Sequence, residues 1–215
     1  MISNKFRRLF TVTVVAAAVL GTACSAPAAE PAVTPATSVA SAAGAPEHQD
    51  AGHARLNTLV GEWTADKSTY VAGGTPEAPL RGTDLVSRWH WIAETGGNFL
   101  QEEVSGTMSG KPYYRLGLLG YSPLDDRYEW TTVDSVTPMT MTYRGTKGSA
   151  TADVIAMSGE FTDPGVLGPE NTGKTTPMRT QIHLESPDRV VMEIFFTPAG
   201  LPERLADRVV LTRRA

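Results

Sequence analysis

From about residue 62 onward, apolar and polar side chains alternate in short runs separated by turn residues. Met178, Thr180, Ile182 and Leu184 share one face of a strand, with Arg179, Gln181, His183 and Glu185 on the other. Val190, Met192, Ile194 and Phe196 make a second apolar face, opposite Val191, Glu193 and Phe195. Met139, Met141 and Tyr143 alternate with Thr140, Thr142 and Arg144 in the same way. A period of two gives half-buried antiparallel strands, because successive side chains point to opposite faces of a sheet. Ten strands are predicted, near 62–71, 83–92, 98–107, 113–121, 127–135, 139–145, 151–162, 177–185, 189–197 and 207–213. Gly73-Gly74, Gly96-Gly97, Ser109-Gly110, Pro123 with Asp125-Asp126, Gly145 through Gly148, and Pro187-Asp188 supply the turns between them.

Helical spacing is confined to the start of this region. Leu56, Leu59 and Val60 stand at i, i+3 and i+4, which predicts a short helical turn just before Gly61. Residues 163–177 read as a long Gly/Pro-rich loop, and 198–206 as a connection with a helical turn at Pro202 to Ala206. Without long helices a βαβ alternation is disfavoured and a meander of hairpins is expected. About ten sequential antiparallel strands must protect their edges, and closure does so most completely. The expected fold is therefore all-β, an antiparallel up-and-down barrel of about ten strands, with a β-sandwich as the alternative.

Composition changes the picture mainly at the N-terminus. Lys5, Arg7 and Arg8 precede an apolar run from Val12 to Leu20, and Gly21-Thr22-Ala23 resembles a small-residue cleavage site. The run is shorter than the ~20 apolar residues a membrane span needs, so residues 1–23 are expected to be a signal peptide and the protein exported. Cys24 is the sole cysteine, which leaves no intramolecular disulfide. Leu20-Gly21-Thr22-Ala23-Cys24 resembles the bacterial lipobox, whose cysteine is lipidated; Gly21 departs from the usual large aliphatic at that place. Ordinary cleavage, giving a soluble periplasmic or secreted protein, is the alternative. Residues 24–52 are Ala, Pro, Ser and Thr with almost no large side chain, and are expected to be a disordered tether. That leaves 53–215 as one domain. Removing 1–23 takes away three positive charges and no acid, moving the formal charge from −4 to −7. An acidic mature chain without basic runs argues against a nucleic-acid partner, and leaves a lipid anchor as the expected contact with a membrane.

One stretch, His53-x-x-Leu56-x-x-Leu59-Val60-Gly61-Glu62-Trp63-Thr64, carries a family resemblance. Gly96-Gly97-x-Phe99-Leu100, then Gly120-Tyr121-Ser122-Pro123 ahead of Tyr128-x-Trp130, and the terminal Leu211-Thr212-Arg213-Arg214 extend it over 53–214. The chain resembles the lipocalin-like bacterial domain-of-unknown-function family 1579. It departs at Ser122, where the family usually has Asp, and in a longer 163–177 loop. The resemblance implies a calycin-type barrel and no particular activity. In such barrels an Arg of the last strand often lies over the tryptophan at the closed end, which implies a structural plug of Gly61, Trp63 and Arg213, with Arg208 the other candidate arginine.

Chemistry is harder to place. His48, His53, His90 and His183 show no metal-ligand spacing. No metal or cofactor is expected, a haem ligand from His90 or His183 being the alternative. In Arg88-Trp89-His90-Trp91, inward Arg88 and His90 would meet a ligand carboxylate, whereas inward tryptophans would make the interior apolar; packing by the tryptophans is favoured. The cavity candidates are Arg88, His90, Tyr121, Trp130, Asp134 and Tyr143. Glu102 and Glu103 are adjacent on a strand and must face opposite sides, so they cannot act on one substrate together. No G-x-S-x-G or phosphate loop occurs, and no catalytic residue is assigned. The expectation is an envelope-anchored barrel binding a small apolar ligand. The alternatives are a small-molecule enzyme working through His90, Asp134 or Tyr121, and a structural or interaction lipoprotein.

Overall fold

The structure, a computed structural model, describes residues 50–215. The expected signal segment, Cys24 and nearly all of the tether lie outside the described residues. Ten strands follow a short helix α1 (Ala51–Leu56) and a 3-10 turn (Asn57–Leu59). They are β1 (Gly61–Thr69), β2 (Leu80–Trp91), β3 (Phe99–Met108), β4 (Lys111–Ser122) and β5 (Arg127–Asp134), then β6 (Met141–Arg144), β7 (Ile155–Thr162), β8 (Thr175–Ser186), β9 (Arg189–Phe196) and β10 (Arg204–Arg213). Each strand pairs antiparallel with its sequence neighbours, and β1 pairs with β10 to close the barrel. Closure rather than a sandwich follows from that last ladder, which satisfies both remaining edges at once.

All ten expected strands form, and the alternation assigned to β6, β8 and β9 puts Met141, Tyr143, Met178, Ile182, Val190, Met192, Ile194 and Phe196 in the core. Two connections differ from expectation. The helical turn expected at Pro202 to Ala206 is absent: Arg204 already pairs with Phe196, and the strand hydrogen bonds decide that segment. Helix α1 also begins at Ala51, ahead of the expected 53, because the Asp50 carboxylate caps it by accepting from the His53 amide at 3.0 Å.

The two ends of the barrel are unlike. Helix α1 covers one end. The Tyr128 hydroxyl donates to the Gly52 carbonyl at 3.2 Å, and Arg55 donates to the carbonyls of Ala150, Ala152 and Asp153 in the β6–β7 connection. A methyl group on Gly52 would come within 2.5 Å of the Tyr121 ring, so only glycine lets the helix sit this close. The other end is formed by the β1–β2, β3–β4, β5–β6, β7–β8 and β9–β10 connections and carries no α-helix, only a 3-10 turn at Pro169–Asn171.

Candidate functional site

At the covered end, Trp63 is fully buried and its indole Nε1 donates to the Leu59 carbonyl at 2.7 Å. Register pairs Trp63 with Arg213, which puts both side chains on one face. The guanidinium lies 4.1 Å from the Trp63 ring and donates to the carbonyls of Val60, Thr58 and Pro187, each at 2.8 Å. Arg213, rather than Arg208, is the plug arginine; Arg208 faces outward to Glu193 at 3.3 Å. Gly61 has a φ of 127°, and a methyl there would stand 2.7 Å from the Arg213 Nη1.

Above the plug the barrel encloses a cavity of about 250 Å³ that reaches toward the uncovered end. Its walls include Val71, Leu80, Met108, Met141, Ile194 and Phe196, with Trp130 and Tyr143 beside them. The rings of Trp89, Trp130 and Tyr143 run side by side, their centroids 6.4 and 5.7 Å apart in turn.

Two ion pairs cross this apolar interior. The Lys67 ammonium meets Asp207 Oδ2 at 2.8 Å, and the Thr69 hydroxyl donates to Asp207 Oδ1 at 2.5 Å. Arg115 turns Nε and Nη2 to Glu102 Oε2, at 3.1 and 2.9 Å, and its guanidinium carbon lies 4.5 Å from the Trp130 ring centre. Gly117 makes room for this group: a methyl there would lie 2.7 Å from Trp130 Nε1 and 2.8 Å from Glu102 Oε2. Burial alone would lower the Lys67 pKa, but the Asp207 charge and hydrogen bond, with Tyr113 beside them, together hold the ammonium above the ordinary lysine value. Burial opposes the Arg115 charge in the same way, and Glu102 holds that group charged. Burial pushes the Glu102 carboxyl upward against the pull of Arg115. The same desolvation lifts the Tyr113 and Tyr143 phenols, so both remain protonated donors at neutral pH.

Three of the six expected cavity residues line this space: Trp130, Asp134 and Tyr143. Asp134 does so at the edge, where its Oδ1 accepts from the Val136 and Thr137 amides, both at 2.7 Å, and from the Thr137 hydroxyl at 2.9 Å. It therefore shapes the β5–β6 turn. Arg88 and His90 are corrected: both are exposed on the outer face of β2, and Arg88 pairs with Glu62 at 2.8 Å. Leu85, Ser87, Trp89 and Trp91 take the inner face, since burying two indoles removes far more apolar surface from water than burying Arg and His. Tyr121 is corrected too. It lies at the covered end against His53, with ring centroids 5.3 Å apart, and donates to Asp126 at 2.7 Å, which pushes its pKa up to about 12. His183 lies on the outer side of β8, 3.8 Å from Glu193.

The four charged groups of the floor were not among the expected residues, yet they left a mark. Lys67 follows Trp63 and Ala65 on the inward register of β1; Glu102 lies between Leu100 and Val104; Arg115 lies between Tyr113 and Leu119. A lone charge in an apolar register is the readable signal. Asp207 carries the same mark, alternating with Val209, Leu211 and Arg213 on the inward register of β10. Leu205 pairs with Phe195 and Asp207 with Ile194, so the one-residue bulge at Ala206 changes the register only ahead of Asp207.

A closed antiparallel barrel with a helix over one end and a small cavity below the other is a lipocalin-like barrel. The chain belongs to the family described as Protein of unknown function (DUF1579), which it matches over residues 48–211. No curated protein matches it. Among solved structures it is similar to Rv2717c from M. tuberculosis, at 19% identity over 78% of this chain and 100% of that one, with a TM-score of 0.48. It is similar to the S-type phycobiliprotein lyase CPES from Guillardia theta, at 11% identity over 75% and 92% of the two chains, TM-score 0.45. It is also similar to the redesigned beta barrel mFAP0 bound to DFHBI, at 12% identity over 73% and 99%, TM-score 0.37.

Proposed function

We propose that this protein is an exported, lipid-anchored barrel that binds a small, largely apolar ligand inside its cavity. The observation that carries this reading is the cavity of about 250 Å³, walled by aliphatic and aromatic side chains and reached from the end opposite α1. Ligand sites in small barrels are concave, mostly apolar, and carry a few placed polar groups. The residues weighed for catalysis do not gather: His90 is outside, Tyr121 is under the helix, and Asp134 holds a turn. Export and anchoring rest on the sequence, namely Lys5, Arg7 and Arg8 before the apolar run and Cys24 after the small residues. An exposed apolar stripe on the outside, Tyr114 and Leu118 of β4 beside Val133 of β5, is the one observation that favours the interaction reading instead.

Native mass spectrometry of the protein purified from its own envelope tests both halves. The expected spectrum shows diacylglyceryl mass on Cys24 and a co-purifying small molecule. Cys24→Ala is expected to move the protein out of the membrane fraction; unchanged fractionation would remove the anchor. A protein partner in place of a small molecule would favour the outer stripe.

A further inference from the structure

Hydrogen-bond accounting on the cavity floor is lopsided. Every carboxylate there is already held: Asp207 by Lys67 and Thr69, Glu102 by Arg115, Asp134 by the turn it caps. The donors are not used up. Arg115 commits Nε and Nη2 to one carboxylate oxygen, and Nη1 has no partner among the described residues. The Tyr113 hydroxyl likewise has none, although Tyr113 lines the cavity and is nine-tenths buried. Lys67 has three N–H donors and one carboxylate, with its ammonium 6.0 Å from the Tyr113 ring centre. Trp130 Nε1 is buried without a partner. Tyr113, Lys67 and Arg115 all line the same space.

We propose that the ligand is a small monocarboxylate, its carboxylate accepting from Tyr113, Arg115 and Lys67 on the floor and its apolar body lying between Met108, Met141, Ile194 and Phe196. This rests on the ligand-binding reading above and names the chemical class it takes. A bound carboxylate supplies acceptors to donors that face the cavity, taking the place of solvent there. Volume sets the size. An apolar cavity of roughly 150 Å³ takes benzene, so the present space suits a body and head of about ten non-hydrogen atoms in all. An aryl-alkanoate fits this description.

Isothermal titration of the folded mature protein with three probes of one shape tests the proposal: 3-phenylpropionate, 3-phenylpropan-1-ol and 3-phenylpropylamine. At neutral pH the carboxylate is expected to bind at least tenfold tighter than the alcohol, and the amine more weakly than either. Tyr113→Phe keeps the ring, and is expected to cut the lead of the carboxylate over the alcohol at least threefold. Met108→Trp fills the cavity and is expected to abolish binding of both. An alcohol or amine that binds as tightly as the carboxylate would overturn the head-group assignment while leaving the cavity a ligand site. Undiminished carboxylate binding in Met108→Trp would overturn the placement. Failure of all three probes would overturn this proposal and the ligand-binding reading together. The comparison of probes on the wild type needs no variant to fold.

Discussion

Gly61 and Arg213 hold the covered end through a contact that leaves no space for one methyl group. The positive φ of Gly61 and the 2.7 Å approach of Arg213 Nη1 exclude any side chain there for two separate reasons, backbone strain and collision. Arg213 in turn satisfies carbonyls of the turn before β1 and of the β8–β9 connection while lying over Trp63. Arg213→Ala is therefore expected to cost about 2 kcal/mol in urea unfolding, from the lost cation–π contact and charge-assisted hydrogen bonds. Arg213→Lys should recover less than half of it, since an ammonium cannot span three carbonyls as a planar fork does. Gly61→Ala should cost a similar amount, on the order of 1–3 kcal/mol. Wild-type stability in either alanine variant would show that the plug is not a fastening.

At the level of elements, the cavity floor depends on strand register. β1 presents Lys67 inward by simple alternation from Trp63, and β10 presents Asp207 inward by the same alternation from Arg213. Buried ion pairs of this kind add little net stability, because the attraction between the charges barely exceeds the loss of their hydration. Removing one partner is different, since it strands a charge. Asp207→Leu is expected to cost roughly 3–5 kcal/mol, and Lys67→Met with Asp207→Leu together to return near wild-type stability. Additive losses in that double-mutant cycle would contradict the pairing. The pH dependence has a definite sign. The folded state holds the Lys67 pKa above its ordinary 10.5, so the contribution is complete below pH 10.5 and lost as pH rises through the folded value. The stability gap between wild type and Lys67→Met should be flat through neutral pH and shrink only in strongly alkaline solution.

For the whole molecule, the decisive contact is the ladder between β1 and β10, which joins Trp63 to Arg213 across the length of the domain. Closure removes the last free edges. Deleting 204–215 leaves β1 and β9 unpaired on one side each and discards Arg213. The truncated protein is expected to self-associate, read as growth in light scattering and loss of the monomer peak in size exclusion. A soluble, cooperatively folding monomer would show that closure is not what keeps the barrel intact. Strand pairing across loops, with this closing ladder the most distant in sequence, makes refolding in milliseconds to seconds the expectation.

The sequence by itself determined the strands, the short helical turn, the plug and the family. Period-two alternation and turn residues are local signals, and the barrel is their simplest closure. Trp130 and Tyr143 could be placed inward for the same reason, being large aromatics at apolar positions of their strands. Tertiary structure decided what alternation leaves open. Two faces of β2 compete for the interior, and the indoles of Trp89 and Trp91 win because they bury more apolar surface than Arg88 and His90. Tyr121 falls under the helix because Gly52 approaches its ring. Leu205 and Arg204 leave the alternation of β10 because one extra residue at Ala206 resets its parity, which no pattern of apolar and polar positions records. The chemistry of the cavity floor is made by groups from β1, β3, β4 and β10, and only closure of the barrel brings them within reach of one another.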